Sequence, residues 1–174
     1  MDLNHRGHRG ARRYLPALFI LLLCAALASV QEPKKADKVL VFKQKHELQL
    51  LSQGKVFKTY NVALGGDPIG PKAQQGDHKT PEGTYVLDRR NANSKFHRAL
   101  HISYPSAKDR ELARKRGFAP GGDIMLHGLP NGYGAIGAAH RLKDWTDGCI
   151  AVTNPEIEEI WTLVPDGTPI EIRP

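Results

Sequence analysis

The stretch that decides the fold reads Ile124-Met125-Leu126-His127-Gly128, then a Gly-rich loop, then Asp144-Trp145-Thr146-Asp147-Gly148-Cys149-Ile150-Ala151-Val152-Thr153-Asn154. Two short apolar runs flank the loop, and each has the length of a buried strand. The first run ends at His127, and the second begins at Cys149. A thiol attacks as a thiolate and needs a nearby base or positive field. We therefore predict that Cys149 is a nucleophile and that His127 is its base.

Gly148 strengthens this hypothesis, because a glycine directly before a nucleophile lets the backbone turn tightly. Such a turn presents amide N–H groups to an oxyanion, and we expect the N–H groups near Gly148 and Cys149 to do so. The competing interpretation is a small buried cysteine beside a structural histidine, with no chemistry at either residue.

Residues 1–28 have the composition of a secretory signal peptide. Four arginines precede an apolar run from Leu15 to Val30, and Ala26 and Ala28 are small residues at the positions that a signal peptidase reads. We predict cleavage after Ala28, a linker over residues 29–38 and a catalytic domain over residues 39–173. The alternative is a retained N-terminal membrane anchor, because the run approaches the shortest length that spans a bilayer. In both cases the domain is expected in the periplasm or cell envelope.

Charge and cysteine content narrow the function classes. The chain carries a net charge of +7, and residues 29–174 hold 21 basic and 17 acidic residues, a net charge of +4. Without interleaved basic and aromatic residues, that charge does not indicate nucleic-acid binding, but it suits an anionic polymer such as a cell wall. Cys149 is the single cysteine after residue 28. In an exported protein, one thiol without a disulfide partner favours a reactive role.

The remaining pattern predicts a mainly β protein with one or two helices. Three strands are expected to form an antiparallel meander, over residues 39–42, 47–52 and 56–64. Further strands are expected over residues 84–87, 99–104, 123–126, 149–152 and 169–172. We predict a helix over residues 109–116 capped by Ser106, and another from Asn154 to about Leu163 with an apolar stripe.

Two polar stretches are predicted as loops. Residues 65–83 lack periodicity, and a segment of this length either connects strands through solvent or lines a substrate site. Residues 88–95 are predicted as a second loop. His97 and His101 lie nearby, but no carboxylate or cysteine completes a metal ligand set at suitable spacing. We predict no metal and no cofactor.

His127-Gly128, Thr146-Asp147-Gly148-Cys149-Ile150 and Asn154 together resemble the L,D-transpeptidase (YkuD-type) catalytic domain. The signature of that family is His-Gly, a spacer, and Ser/Thr-His-Gly-Cys. The resemblance covers roughly residues 39–173. It implies a β-sandwich-like or mixed-sheet fold with a pocket for the Cys-His pair, and a peptidoglycan stem peptide as substrate.

The resemblance also implies acyl transfer through a thioester. Cys149 attacks the L,D peptide bond of a donor stem peptide, while His127, oriented by the carbonyl of Gly128, takes the thiol proton and later activates the acceptor amine. Transfer of the same thioester to water would make a carboxypeptidase or hydrolase, and loss of catalysis would leave a wall-binding module. No partner protein is implied; membrane association is expected only through the N-terminal segment.

Asp147 stands where the family has histidine, and Ala151 where it often has arginine. A carboxylate beside a thiol raises the thiol pKa, so an imidazolium at His127 or a cation such as Arg141 is expected to offset it. Alternatively, Asp147 faces the acceptor and holds the positive charge of the incoming amine, which is the role we favour. Asp147, Thr146 and Arg141 are therefore predicted to contact substrate.

Overall fold

The computed structural model describes residues 34–174 of the chain. Its strands are β1 (Lys38–Phe42), β2 (Glu47–Ser52), β3 (Lys55–Asn61), β4 (Gly83–Ser94), β5 (His97–Ile102), β6 (Met125–His127), β7 (Ile150–Ala151) and β8 (Thr168–Arg173), and its α-helices are α1 (Ala107–Lys115) and α2 (Asn154–Leu163). The predicted signal peptide, its cleavage site and the start of the linker lie outside the described residues. Between residues 34 and 174, no helix is long and apolar enough to cross a membrane.

All eight strands form one mixed sheet in the order β3-β2-β1-β8-β4-β5-β6-β7. The first three strands form the predicted antiparallel meander. Strand β8 inserts between β1 and β4, parallel to β1 and antiparallel to β4. At the far edge β6 and β7 run parallel. The predicted mainly β class is confirmed.

The two edges of this sheet meet beyond β3. The strand predicted to continue to Leu64 ends at Asn61, because the following residues pair with β7 instead of β2. Ala63 and Ala151 exchange two backbone hydrogen bonds of 2.8 and 2.9 Å. Next, Thr146 N donates to Leu64 O at 3.1 Å. The chain leaving β3 thereby curls across the sheet and fastens the segment that precedes Cys149.

The loop predicted over residues 88–95 is wrong, because β4 continues to Ser94. This half of β4 forms a hairpin with β5, and most of its side chains are exposed. Arg90, which is partly buried, packs on an aromatic ring: its guanidinium lies 4.7 Å from the ring centroid of Trp161 and donates to the Trp161 carbonyl at 2.6 Å. A strand that uses a charged side chain to cover an aromatic ring shows no apolar alternation, so the pattern hides it.

Helix α2 packs its predicted apolar stripe against the sheet, with Ile157 and Ile160 fully buried. Each such side chain contributes about 1.5–3 kcal/mol by leaving water. The helix begins with a capping box, in which the Glu156 carboxylate accepts from Thr153 N at 2.9 Å and from Thr153 Oγ1 at 2.7 Å. Helix α1 likewise begins after Ser106, as predicted.

The two long connections are ordered without strands. The segment between β3 and β4 is held by the buried Lys43, whose Nζ donates to Gly70 O at 2.6 Å, Thr80 O at 2.9 Å and Glu82 Oε1 at 2.8 Å. The Gly-rich connection between β6 and β7 contains 3₁₀ turns over Gly134–Leu142. Both connections therefore have a fixed course beside the strands that carry His127 and Cys149.

Candidate active site

Strands β6 and β7 place His127 and Cys149 on neighbouring backbones. Leu126 lies opposite Ile150, both fully buried, and His127 lies opposite Ala151. Cys149 precedes Ala151 by two residues, so alternation along an extended chain directs the side chains of Cys149 and His127 to the same face. The structure thus places the predicted nucleophile and base on one face of neighbouring backbone segments.

His127 is only 3% exposed, and its ring packs against Phe96 and Trp145 at centroid distances of 4.4 and 5.9 Å. Its Nδ1 donates to Gly128 O at 2.6 Å. Because a carbonyl only accepts, we assign the ring proton to Nδ1, which leaves the lone pair on Nε2. Burial lowers the pKa of His127 to about 4, although the Gly128 hydrogen bond opposes the shift. At neutral pH His127 is a neutral base, not the imidazolium suggested as an offset to Asp147.

Cys149 is a partly buried thiol held by the backbone before β6. Its Sγ accepts from Met125 N at 3.4 Å, and the thiol donates to Asp123 O at 3.7 Å. Burial raises the pKa of the thiol, the Met125 N–H lowers it, and the Asp147 carboxylate raises it further. The expected effect of Asp147 is present, but burial is the larger cause. Thiol and imidazole are both neutral at rest, so a thiolate forms only as its proton moves to a base.

Thr146 shapes the turn over residues 146–149, which we name the nucleophile turn because it carries the predicted nucleophile Cys149. Its hydroxyl is buried, donates to Cys149 O at 2.7 Å and accepts from Gly148 N at 3.1 Å. The hydroxyl predicted to contact substrate is thus already shared between two backbone groups. The same bond occupies the Gly148 N–H, which leaves the Cys149 N–H as the amide of this turn that can face an oxyanion.

Gly148 is required by both conformation and space. Its φ of +123° is unfavourable for other residues, and a Cβ at this position would lie 2.5 Å from the carbonyl oxygen of Lys79. A Cβ on Gly65 would similarly lie 2.2 Å from His78 O and 3.1 Å from the Cα of Gly148. The two glycines let the backbone of residues 78–79 pass directly against the nucleophile turn.

Gly128 and Asn154 fix the chain after His127. A Cβ on Gly128 would lie 2.8 Å from Asn154 Oδ1, which also accepts from Leu129 N at 2.8 Å. Asn154 is the first residue of α2, so the helix start holds the backbone whose carbonyl orients His127. Sequence reasoning included Asn154 in the motif without giving it a role.

The cation that acts on Cys149 is Lys72 and not Arg141, the residue expected from the sequence. Arg141 forms an ion pair with Glu156 in the capping box of α2. The cation that lowers the pKa of the Cys149 thiol is Lys72, a buried side chain that pairs with Asp77 at 2.7 Å. Burial acts to raise the pKa of Asp77, but Lys72 and backbone N–H groups outweigh it and hold the pKa at about 2. Nothing in the sequence pattern singled out Lys72.

Two cavities adjoin the nucleophile turn. One of about 620 Å³ is lined by Asp147, residues 119–123 and, from the long segment after β3, Lys72, Gln75, Gly76 and His78. The other, of about 450 Å³, is lined by Gly66, Asp67, His78 and residues 143–147. His78 Nδ1 and Asp147 Oδ1 are 2.8 Å apart, and this pair belongs to both cavities. The long segment therefore lines space beside Cys149.

The histidines considered for a metal each contact a carboxylate on the protein surface. His97 pairs with Glu158 at 2.7 Å, and His101 pairs with Asp88 at 2.6 Å. Across residues 34–174, no three side chains of His, Cys, Asp or Glu are grouped so that they can hold a metal ion.

Known proteins that are similar to this chain are L,D-transpeptidases by name or by family. The L,D-transpeptidase catalytic domain family (YkuD) matches residues 36–172. "Putative L,D-transpeptidase YafK" of Escherichia coli (strain K12) is 30% identical over 132 residues, covering 72% of this chain and 46% of YafK. "Putative L,D-transpeptidase YqjB" of Bacillus subtilis (strain 168) is 29% identical over 135 residues, covering 77% of this chain and 69% of YqjB.

Solved structures agree with this match. The helical cell shape determining protein Pgp2 from Campylobacter jejuni has a TM-score of 0.59 and 26% identity over 78% of this chain and 46% of Pgp2. Bd1075 from Bdellovibrio bacteriovorus has a TM-score of 0.53 and 27% identity over 77% of this chain and 46% of Bd1075. The chain spans about half the length of YafK, Pgp2 and Bd1075. Because the family match covers most of its residues, the chain belongs to the L,D-transpeptidase catalytic domain (YkuD) family.

Proposed function

We propose that this protein is a cysteine-dependent L,D-transpeptidase that acts on peptidoglycan stem peptides through a thioester on Cys149. One observation carries the proposal. His127 is buried with Nδ1 fixed on Gly128 O, so its Nε2 lone pair is available beside the strand of Cys149.

The first half of the reaction uses these groups in order. Cys149 Sγ bonds to the carbonyl carbon of the L,D peptide bond as the thiol proton passes to His127 Nε2. The Cys149 N–H donates to the oxyanion. The C–N bond then breaks, His127 returns the proton to the departing amine, and the terminal D-amino acid leaves a thioester behind.

The low pKa of His127 suits the step in which its proton passes to the departing amine. An imidazole with a pKa of about 4 is a weak base, and its conjugate acid gives a proton readily to a departing amine. Activation of the thiol is correspondingly harder, because the thiol pKa is raised. We therefore place proton transfer together with attack on the bound donor, and not in the free site.

The cell wall follows as the place of action. The donor is proposed to occupy the cavity of about 620 Å³, which is lined by Asp147 and by Asp123, whose carbonyl accepts from the Cys149 thiol. The relative Pgp2 is named as a determinant of helical cell shape. With the predicted signal peptide, these features support a position outside the cytoplasmic membrane. Amine acceptors lead to transpeptidation, and water as acceptor leads to carboxypeptidase or hydrolase activity.

The first prediction tests the thioester. We expect the full-length wild-type protein to gain the mass of one carbapenem on Cys149, because the strained lactam acylates an active thiol. Cys149→Ala should gain none and should not release the terminal D-amino acid from a stem peptide. Cys149→Ser should be nearly inactive, since a hydroxyl ionises far less readily than a thiol. Intact-protein mass spectrometry and chromatography of the products give both measurements.

Thermal melting shows whether the Cys149→Ala variant is folded. Turnover by folded Cys149→Ala would contradict the covalent mechanism. A folded wild-type protein without an adduct would favour a wall-binding module. Adding an acceptor amine separates the remaining functions, because a transpeptidase forms a new amide, whereas a hydrolase yields the free acid regardless of amine.

A further inference from the structure

A second histidine with a fixed tautomer stands beside the nucleophile turn. His78 Nδ1 is 2.8 Å from Asp147 Oδ1. Because a carboxylate only accepts, Nδ1 carries the proton, and Nε2 of the neutral ring is left with its lone pair. His127 has the same arrangement, with Gly128 O in place of the carboxylate. The two rings therefore offer the same nitrogen as a base.

The backbone of residues 78–79 passes beside the turn that holds Cys149. The carbonyl of His78 is close enough to Gly65 to exclude a Cβ there, and the carbonyl of Lys79 does the same at Gly148. Asp147, the partner of His78, is two residues before Cys149. The His78–Asp147 pair is thus attached on both sides to the turn that holds the nucleophile.

Exposure separates the roles of the two histidines. His127 is 3% exposed and enclosed by aromatic rings, whereas the side chains of His78 and Asp147 are 59% and 90% exposed. With the donor in the cavity of about 620 Å³, an acceptor that arrives through the cavity of about 450 Å³ reaches His78, which lines both. The neighbouring cations have other carboxylates, because Lys79 pairs with Asp67 and Lys72 pairs with Asp77. Asp147 is therefore matched to His78.

We propose that His78, oriented by Asp147, is the general base that activates the acceptor in the second half-reaction, while His127 serves the thiol and the leaving amine in the first. This inference rests on the proposed Cys149 thioester. The acceptor nitrogen, or a water oxygen, bonds to the thioester carbonyl carbon as its proton passes to His78 Nε2. The C–S bond breaks with its electron pair on sulfur. The His78 imidazolium then returns the proton to the thiolate through solvent, which restores both groups.

This division gives Asp147 a use that offsets its effect on the thiol. The carboxylate that disfavours the Cys149 thiolate stabilises the imidazolium that forms at His78. It also holds the His78 ring in one orientation, with Nδ1 facing the carboxylate, before the acceptor arrives. Asp147 is then a positioning residue for transfer, and His78 is a catalytic one.

The second prediction separates the two half-reactions in the full-length protein. His78→Asn keeps an N–H donor for Asp147 and tolerates the local φ of +53°, but it has no base. We expect breakdown of the thioester by an added amine to slow by about 100-fold or more. Acylation by a stem peptide donor should slow by a much smaller factor, because His78 lines the proposed donor cavity but takes no proton in that step. Rapid-quench mass spectrometry of the Cys149 adduct measures both rates.

His101→Asn is the matched control. His101 Nδ1 contacts Asp88 Oδ1 at 2.6 Å, the same pairing as at His78, but on the β4–β5 hairpin and outside the lining of both cavities. This variant should leave acylation and release unchanged. His78→Gly also fits the positive φ, and added imidazole should restore much of its release rate.

Equal release rates in wild-type and His78→Asn proteins would overturn the proposal and leave His127 as the base of both steps. A folded His78→Asn protein in which acylation slows as much as release would overturn the division of labour. Absence of any Cys149 adduct in the wild-type protein would instead refute the thioester mechanism itself, so the two failures are distinguishable.

Discussion

At the scale of single residues, the burial of His127 links the stability of the fold to pH. Its pKa is about 4 in the folded protein, against about 6.5 for an unperturbed histidine. Between these values the unfolded chain binds a proton that the folded chain does not. Stability is therefore complete above the unfolded pKa and is lost as pH falls towards 4, by up to about 3 kcal/mol. His140 acts in the same direction, because burial also lowers its pKa.

The third prediction is that His127→Gln flattens this dependence. Urea unfolding should be measured between about pH 7 and about pH 4, the range in which histidine gains a proton in the unfolded chain before His127 gains one in the folded protein. Over this range the variant should lose less unfolding free energy than the wild type. Below that range both proteins should lose stability together, because Asp77, whose pKa is held at about 2, becomes protonated in each. Parallel curves throughout would contradict the assignment of a neutral, buried His127.

The placement of the candidate residues Cys149 and His127 beside neighbouring strands was predictable, because their types and neighbours carry the signal. An apolar strand that ends in histidine and a glycine before a lone thiol are local features of the sequence. Lys72 and His78 were not predictable in this way. Both lie on an irregular segment, and their positions beside Cys149 depend on contacts with Asp77 and Asp147 that no periodicity encodes.

At the scale of structural elements, the turn before β7 depends on one hydroxyl. Thr146 Oγ1 joins Gly148 N and Cys149 O, so it fixes the backbone on both sides of the nucleophile. Removing a buried hydrogen-bonding partner costs about 1–3 kcal/mol, because the groups left behind are unsatisfied.

The fourth prediction compares Thr146→Val with Thr146→Ser. Valine keeps the shape of the side chain without the hydroxyl, and serine keeps the hydroxyl. We expect Thr146→Val to lose about 1–3 kcal/mol of unfolding free energy, because Gly148 N and Cys149 O lose their hydrogen-bond partner. The variant should also acylate more slowly, because the Cys149 N–H is then no longer held in a fixed orientation. Thr146→Ser should retain most of both. Urea unfolding and the rate of adduct formation measure the difference, and indistinguishable variants would rule out this role for the hydroxyl.

Secondary structure was predictable where the burial of a residue follows from the regular alternation of side chains along its own strand or helix. The meander and α2 show this, since alternation and a helical stripe mark their buried faces. The polar half of β4 was missed because Arg90 stacks on Trp161, a residue 71 positions away. The end of β3 was missed because its continuation pairs with β7 across the sheet.

At the scale of the whole molecule, the buried Lys43 supports the candidate site through the segment between β3 and β4. Lys43 Nζ holds three acceptors on the segment between β3 and β4, and that segment carries Lys72 and His78. Breaking a buried ion pair by removing one partner typically costs about 3–5 kcal/mol. Glu82 retains some solvent exposure, so we expect the lower end of this range.

The fifth prediction is that Lys43→Met destabilises the protein by about 3 kcal/mol and slows thioester formation. The catalytic effect follows because Lys72, whose charge lowers the pKa of the Cys149 thiol, loses its fixed position. Lys58→Met is the control, since Lys58 pairs with Glu159 at an exposed site and should cost less than about 1 kcal/mol. Chemical unfolding and adduct kinetics measure the two effects. Equal stability of both variants would exclude the supporting role of Lys43.

The neighbouring positions of β1 and β8 have a consequence for biosynthesis. Val39 pairs with Ile170, so the centre of the sheet joins strands from opposite ends of the domain sequence. Contacts between such distant residues form late and slowly. While the ribosome is still making the chain, β1 and β4 have no strand between them, and the sheet stays open. We therefore expect the nascent chain to stay unfolded until β8 has been synthesised, and Cys149 to reach its place beside β6 only then.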